Sequence, residues 1–167
     1  MSIGNVMQQN FLSPTGFRLV IKRLPNVTFF VQAANIPGMN MNTTDVATPF
    51  KNMYFAGDKL AYDTFNVTIR VDEYMESYIE IMNWMVGLTK PESFDQFKSL
   101  KQSQDGLYSD ASLVVLNSSK NPSIEIMFKD MFPVSMSSIE LDATDSDVNY
   151  KTCDMTFQHN GYSIKKY

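Results

Sequence analysis

From Thr64 onward the chain alternates, with Phe65, Val67, Ile69 and Val71 pointing one way and Thr64, Asn66, Thr68 and Arg70 the other. That is the period of a half-buried strand built from β-branched and aromatic residues. Asp72 and Glu73 then place negative charge where a helix begins, which the helix dipole favours. Tyr74, Met75, Tyr78, Ile79, Met82, Met85 and Val86 follow at helical spacing, with Glu76, Ser77, Glu80 and Asn83 opposite. The predicted helix buries the first set, packs Trp84 and ends at Gly87. Ahead of the strand, Ala56-Gly57-Asp58-Lys59 reads as a turn. The whole unit is architectural and shows no chemistry.

The same two-residue period recurs along the chain. Phe17, Leu19 and Ile21 alternate with Arg18, Val20 and Lys22; Leu24-Pro25-Asn26 turns the chain, and Val27 to Ala34 returns, so Phe17 to Ala34 reads as a β-hairpin. Ser112 to Leu116 and Ile124 to Phe128 form a second hairpin across the turn cluster Asn117 to Pro122. Asp130-Met131-Phe132-Pro133 punctuates the chain. Val134 to Leu141 and Tyr150 to Gln158 alternate again, joined by an acidic connection from Asp142 to Asn149. Tyr62 to Ile69 and Tyr150 to Phe157 share Tyr, Thr and Thr at equal spacing, which suggests two strands with the same facing rules.

Between these runs, Asn35-Ile36-Pro37-Gly38 breaks the pattern, and residues 39–55 follow without clear periodicity. They read as a long loop carrying Met39, Met41, Phe50, Met53, Tyr54 and Phe55. Soft and flat apolar groups of this kind mark adaptable contact surfaces, although such a loop can also fold back over its own core. Residues 1–14 read as an N-terminal arm, with Phe11 as a second contact candidate. Residues 89–110 form a polar excursion containing Phe94 and Phe97, with room for a short helix. The expected fold is mainly β: one domain over residues 1–167, a sandwich or barrel of about seven antiparallel strands with one flanking α-helix.

Composition agrees with a globular chain, at 44% hydrophobic and 19% charged residues. A net charge of −4 argues against a surface that grips nucleic acid, which needs clustered Lys and Arg. Neither a signal peptide at Met1 to Asn10 nor an apolar run near the ~20 residues of a membrane helix is visible. The Asn-x-Ser/Thr sites at Asn26, Asn42, Asn66 and Asn117 read as accidents of a Thr- and Asn-rich β protein.

Catalytic chemistry finds little support. His159 is the sole histidine and Cys153 the sole cysteine, which excludes an internal disulfide and zinc spacing. On one strand they would lie ~20 Å apart, and His159 reads as a solvated strand-end residue. Asp142, Asp145, Asp147 and Asn149 have the look of a calcium loop, but Tyr150 stands where the glycine is needed and Thr156 displaces the bidentate Glu, so a solvated turn is expected. There is no phosphate-cradling Gly-rich loop. The expectation is a non-enzyme without cofactor or metal.

In their order, these features resemble the tail tube proteins of contractile-tailed bacteriophages. The resemblance runs through Ala33-Ala34-Asn35-Ile36-Pro37-Gly38, Ala56-Gly57-Asp58-Lys59, the strand Thr64 to Glu73, the Trp84 helix, Tyr108 to Ala111, Met131-Phe132-Pro133, Leu141-Asp142 and the strand Cys153 to Phe157. It covers most of the chain, and order and length carry it more than any single motif. It implies a structural virion protein, made in the bacterial cytoplasm, whose hexameric rings stack into a tube inside a sheath. DNA would pass through the lumen without specific binding. It further implies partners in the sheath, baseplate and tail terminator, no membrane partner, and residues 39–55 reaching a neighbouring subunit or ring. Alternatives are a baseplate tube initiator or hub, a secretion-system inner tube, and a free-standing ligand-binding β-sandwich. The last would be a stable monomer with its Met-rich loop folded on itself.

Overall fold

The computed structural model describes residues 16–89, 106–144 and 150–167, together with Leu12 and Lys98. The elements are β1 (Phe17–Ile21), α1 (Val27–Phe30), β2 (Val31–Ala34), β3 (Met39–Ala47), β4 (Asn52–Tyr62), β5 (Phe65–Arg70), α2 (Glu76–Thr89), β6 (Ser109–Leu116), β7 (Pro122–Met136), β8 (Thr152–Gln158) and β9 (Gly161–Lys166). All strand pairing is antiparallel. The main sheet runs β1-β6-β7-β8-β5-β2, with β9 added on β7, and among the described residues β3 pairs only with β4.

Strand β7 serves two ladders. Its first part pairs with β6 and β9 and its second with β8. The joint lies at Asp130, held at φ 50°, where one extra β7 residue is accommodated between the pairs Ala111–Phe128 and Ser109–Met131. Such a bulge bends a strand without ending it. Asp130 to Pro133 therefore bends the sheet instead of closing a strand, and the following strand ends at Met136, short of Leu141.

One-sided burial explains the strands that sequence pattern finds. Phe65, Val67 and Ile69 of β5 are buried, as are Cys153, Met155 and Phe157 of β8, and Phe65 sits opposite Phe157 in register. The Tyr/Thr echo thus marks two neighbouring strands with the same inward positions. Leu19 and Ile21 of β1, Ala111 and Leu113 of β6, and Ile126 and Phe128 of β7 complete one core, in which the rings of Phe65 and Phe128 are 4.5 Å apart.

Other expectations change. Phe17 to Ala34 is not a hairpin: β1 pairs with β6 and β2 with β5. Leu24 and Val27 are buried in the intervening turn and single helical turn, so core burial sends the two strands to distant partners. Helix α2 does follow the acidic pair, and the Asp72 carboxylate accepts from the Glu76 N–H at 3.2 Å. However, its buried face is Ser77, Ile81, Trp84 and Gly87, while Tyr74, Ile79 and Met82 are exposed. Gly87 lies inside the helix, not at its end. Trp84 fixes the rotation of the helix: its indole N–H donates to the Leu107 carbonyl at 3.1 Å, and the Arg23 guanidinium lies 5.3 Å above the ring.

Strand β9 escapes the sequence pattern, because after its buried first residue and half-buried Tyr162 it is exposed on both sides. Its return covers His159, which is 3% exposed and not solvated as its strand-end position suggests. Asp142 sits in a turn in which it accepts from the Thr144 N–H and hydroxyl; residues 145–149 lie outside the described residues. So do most of the 89–110 excursion and the N-terminal arm apart from Leu12.

Candidate assembly interface

Residues 39–55 form a projecting hairpin rather than a loop. Its root is a clasp at the break Asn35 to Gly38. The Asn35 N–H donates to the Asn66 carbonyl at 3.1 Å, and its side chain grips the start of β5, donating to the Thr64 carbonyl at 3.2 Å and accepting from the Asn66 N–H at 2.7 Å. The Asp63 N–H donates to the Gly38 carbonyl at 3.0 Å. The β3–β4 ribbon thus continues the β2–β5 ladder away from the body.

Aromatic packing supports this root. The Tyr162 hydroxyl donates to the Pro37 carbonyl at 3.0 Å, and its ring meets Tyr62 at 5.6 Å. His159 lies behind, 5.6 Å from Tyr62 and 5.2 Å from Phe128. Neither imidazole nitrogen has a partner of good hydrogen-bond geometry. Burial pushes its pKa below the ordinary value of 6.5, against a smaller opposing pull from backbone groups of Asp63 and Gly161.

Beyond the root the register shifts. Met41 faces Leu60 and Thr43 faces Ala56, so Gly57, Asp58 and Lys59 bulge opposite Asn42. The turn signal in the sequence is this bulge. Gly57 is required there because a Cβ would strike the Asn42 carbonyl, reaching its carbon at 2.9 Å. The ribbon closes through residues 48–51, where the Thr48 N–H donates to the Lys51 carbonyl at 3.1 Å.

Almost nothing on this ribbon is buried. Every residue of β3 is exposed, and in β4 only Gly57 and Tyr62 are partly covered. Met39, Met41, Met53 and Phe55 are all exposed, Tyr54 is 71% exposed, and Phe50 at the tip is 98% exposed. Six of the seven contact candidates are therefore brought onto one element; Phe11 lies outside the described residues. Val46 and Leu60, also exposed, belong with them. The signal for both was the Thr48 to Lys51 turn flanked by two runs of similar composition.

Elsewhere among the described residues, surface charges are met by nearby groups of the chain. Lys22 pairs with Asp110 at 3.2 Å. Glu125 accepts from the Ser112 and Tyr167 hydroxyls, each at 2.5 Å, and these bonds, with Lys165 nearby, hold its carboxyl below the usual range. Lys22 and Lys165 are thus interleaved with the carboxylates of Asp110 and Glu125. Among the described residues there is no cluster of potential metal ligands and no helix long and apolar enough to cross a membrane.

The described residues thus form a β body with a projecting apolar ribbon, and comparison with known proteins gives the class. The chain belongs to the phage tail tube protein family, whose model matches residues 5–165. No curated protein matches it. Among solved structures it is similar to the tube-terminating cap of the anti-feeding prophage, with a TM-score of 0.69, 14% identity and 100% of both chains covered. It is likewise similar to a chain of the sheath–tube complex of an extracellular contractile injection system (TM-score 0.63, 13% identity, 100% of this chain and 99% of that chain). A third likeness is to a chain of the anti-feeding prophage baseplate (TM-score 0.65, 11% identity, 96% and 98% covered). At these identities the likenesses establish the fold. The family and these neighbours are structural tube proteins, not enzymes.

Proposed function

We propose that this protein is the subunit of the inner tube of a contractile phage tail, forming six-membered rings that stack into a hollow tube. One observation carries the reading: a ribbon projecting from the body whose large apolar side chains all meet solvent in the single subunit. Two-stranded ribbons are marginal in water, and exposed apolar patches of this kind mark interaction sites. Ring stacking is a heterologous contact, which propagates as a filament. The tube would lie within a sheath, between a baseplate and a terminator, in a virion tail assembled in the bacterial cytoplasm. DNA would traverse the lumen during ejection without being held, in keeping with the net charge of −4 and the interleaved carboxylates.

A second reading, a ring-forming cap or baseplate tube component, is favoured by the full-length likeness to the prophage cap. Negative-stain microscopy with solution mass across concentration separates the two. Hollow tubes with six-fold end views are expected, whereas single rings that never elongate would favour the cap reading. Protein that stays monomeric even on a purified baseplate would overturn both.

A further inference from the structure

We infer that His159 is an acid-sensitive latch at the root of the β3–β4 ribbon. With the imidazole neutral, Tyr62 closes over it and the ribbon is fixed to the body. With the imidazole charged, Tyr62 is released and the root bonds loosen. The latch belongs to the single subunit and stands apart from the tube reading above.

Three rings enclose the imidazole. Between centroids, Tyr62 at the end of β4 lies 5.6 Å away, Phe128 of β7 5.2 Å and Tyr162 of β9 5.9 Å. Gly161, at φ 146°, makes room for this packing, because the Tyr62 ring lies 3.5 Å from where a Cβ would stand. The result is a histidine only 3% exposed, with no partner of good geometry for either ring nitrogen.

A charge here finds little relief. The titratable groups facing the ring are Tyr62 and Tyr162, and the Tyr162 hydroxyl already donates to the Pro37 carbonyl. Charged side chains on adjoining residues turn elsewhere. Asp63 accepts from the Asn40 side chain at 3.1 Å and Asp130 from the Asn160 side chain at 3.3 Å, while Lys129 is exposed next to buried Phe128. An imidazolium would lack both water and a counter-charge, a costly state, eased only in part by backbone groups of Asp63 and Gly161.

Tyr62 is the wall that can yield. Phe128 is 1% exposed and packs 4.5 Å from Phe65 in the core, and Tyr162 is held by its bond to Pro37 and by the β7–β9 ladder. Tyr62 is only partly covered and belongs to a strand with no buried residue. Its outward movement admits water to the imidazole without opening the core. The same movement pulls on the Met39–Tyr62 pair and on the bond from the Asp63 N–H to the Gly38 carbonyl. Charge at His159 is thereby passed to the attachment of the ribbon. The closed root binds the proton more weakly than the open one. Closure is therefore fully favoured above the ordinary imidazole value of 6.5 and weakens below it, by at most ~10-fold per pH unit.

Amide exchange in the intact subunit, corrected for the intrinsic effect of pH, tests the latch at Asn35 and Asp63, whose N–H groups make root bonds. Their protection should change little between about pH 7.5 and 6.5, then fall by up to ~10-fold by about pH 5.5. In His159→Phe it should stay flat. In the wild type, nuclear Overhauser contacts between Tyr62 and His159 should fade over the same range, while those between Phe65 and Phe128 persist. Root protection that ignores pH, or that falls equally in His159→Phe, would overturn the latch. So would Tyr62–His159 contacts that persist after the imidazole is charged, a result that decides the matter even if His159→Phe does not fold.

Discussion

Gly57→Ala isolates the ribbon from the rest of the fold. The added methyl would meet the Asn42 carbonyl, with its carbon 2.9 Å away and the Asn42 Cβ at 3.3 Å. The obstacle is backbone of the partner strand, so relief requires opening the ladder at the bulge. Overpacking of this kind costs about 1–3 kcal/mol. Because neither β3 nor β4 has a buried residue, the cost falls on the ribbon and not on the core. The melting temperature should therefore move by less than ~1 °C, whereas losing ~3 °C would signal about 1 kcal/mol taken from the whole domain. If assembly needs the ordered ribbon, the same 1–3 kcal/mol raises the concentration for tube onset ~5- to 150-fold. Light scattering across a dilution series reads the onset and differential scanning fluorimetry the stability, with Asp58→Ala, at an exposed bulge position, as the control that behaves as wild type. A large fall in melting temperature would refute the separation of ribbon from core, and unchanged onset would refute the need for an ordered ribbon.

Three further perturbations probe the supports. Asn35→Ala removes both side-chain bonds of the root clasp and should lower unfolding stability by about 1–2 kcal/mol in urea titration. Trp84→Phe forfeits the indole bond to the Leu107 carbonyl and part of a ring that is only 2% exposed; a loss of roughly 2–3 kcal/mol is expected, measured the same way. The pKa of His159 is depressed in the folded chain, while an unfolded imidazole titrates near 6.5. The charge is therefore immaterial well above pH 6.5. As pH falls through 6.5 the unfolded state takes up a proton that the fold resists, and stability declines by at most ~1.4 kcal/mol per pH unit. Urea midpoints between pH 7.5 and 5 should show this slope, and His159→Phe should lessen it.

Sequence pattern is informative where one face of an element is buried and the other wet. That is why β5, β6 and β8, the β6–β7 hairpin and the shared facing of Phe65 and Cys153 were all legible. Strands β3 and β4 were not, because exposure on both faces removes the pressure to alternate: Met, Asn and Thr follow one another without period, and the bulge at Gly57 imitates a turn. Composition still singles out Met39, Met41, Met53 and Phe55 as contact candidates, and all four are exposed on the ribbon. The pairing of β1 and β2 was misread because local turn chemistry at Pro25 and Asn26 competes with burial of Leu24 and Val27, and the core wins. Helix α2 was placed correctly but rotated wrongly. Small buried residues at Ser77 and Gly87 carry no hydrophobic signal, while exposed Tyr74, Ile79 and Met82 carry a misleading one.

Hydrogen–deuterium exchange on the free subunit and on assembled protein tests most directly whether the ribbon is the assembly element. Amides of residues 39–62 should exchange rapidly in the subunit, where the ribbon is unsupported, and at least ~100-fold more slowly after assembly; β5 and β8 should be protected in both. Ribbon amides that exchange equally fast in assembled protein would contradict the account.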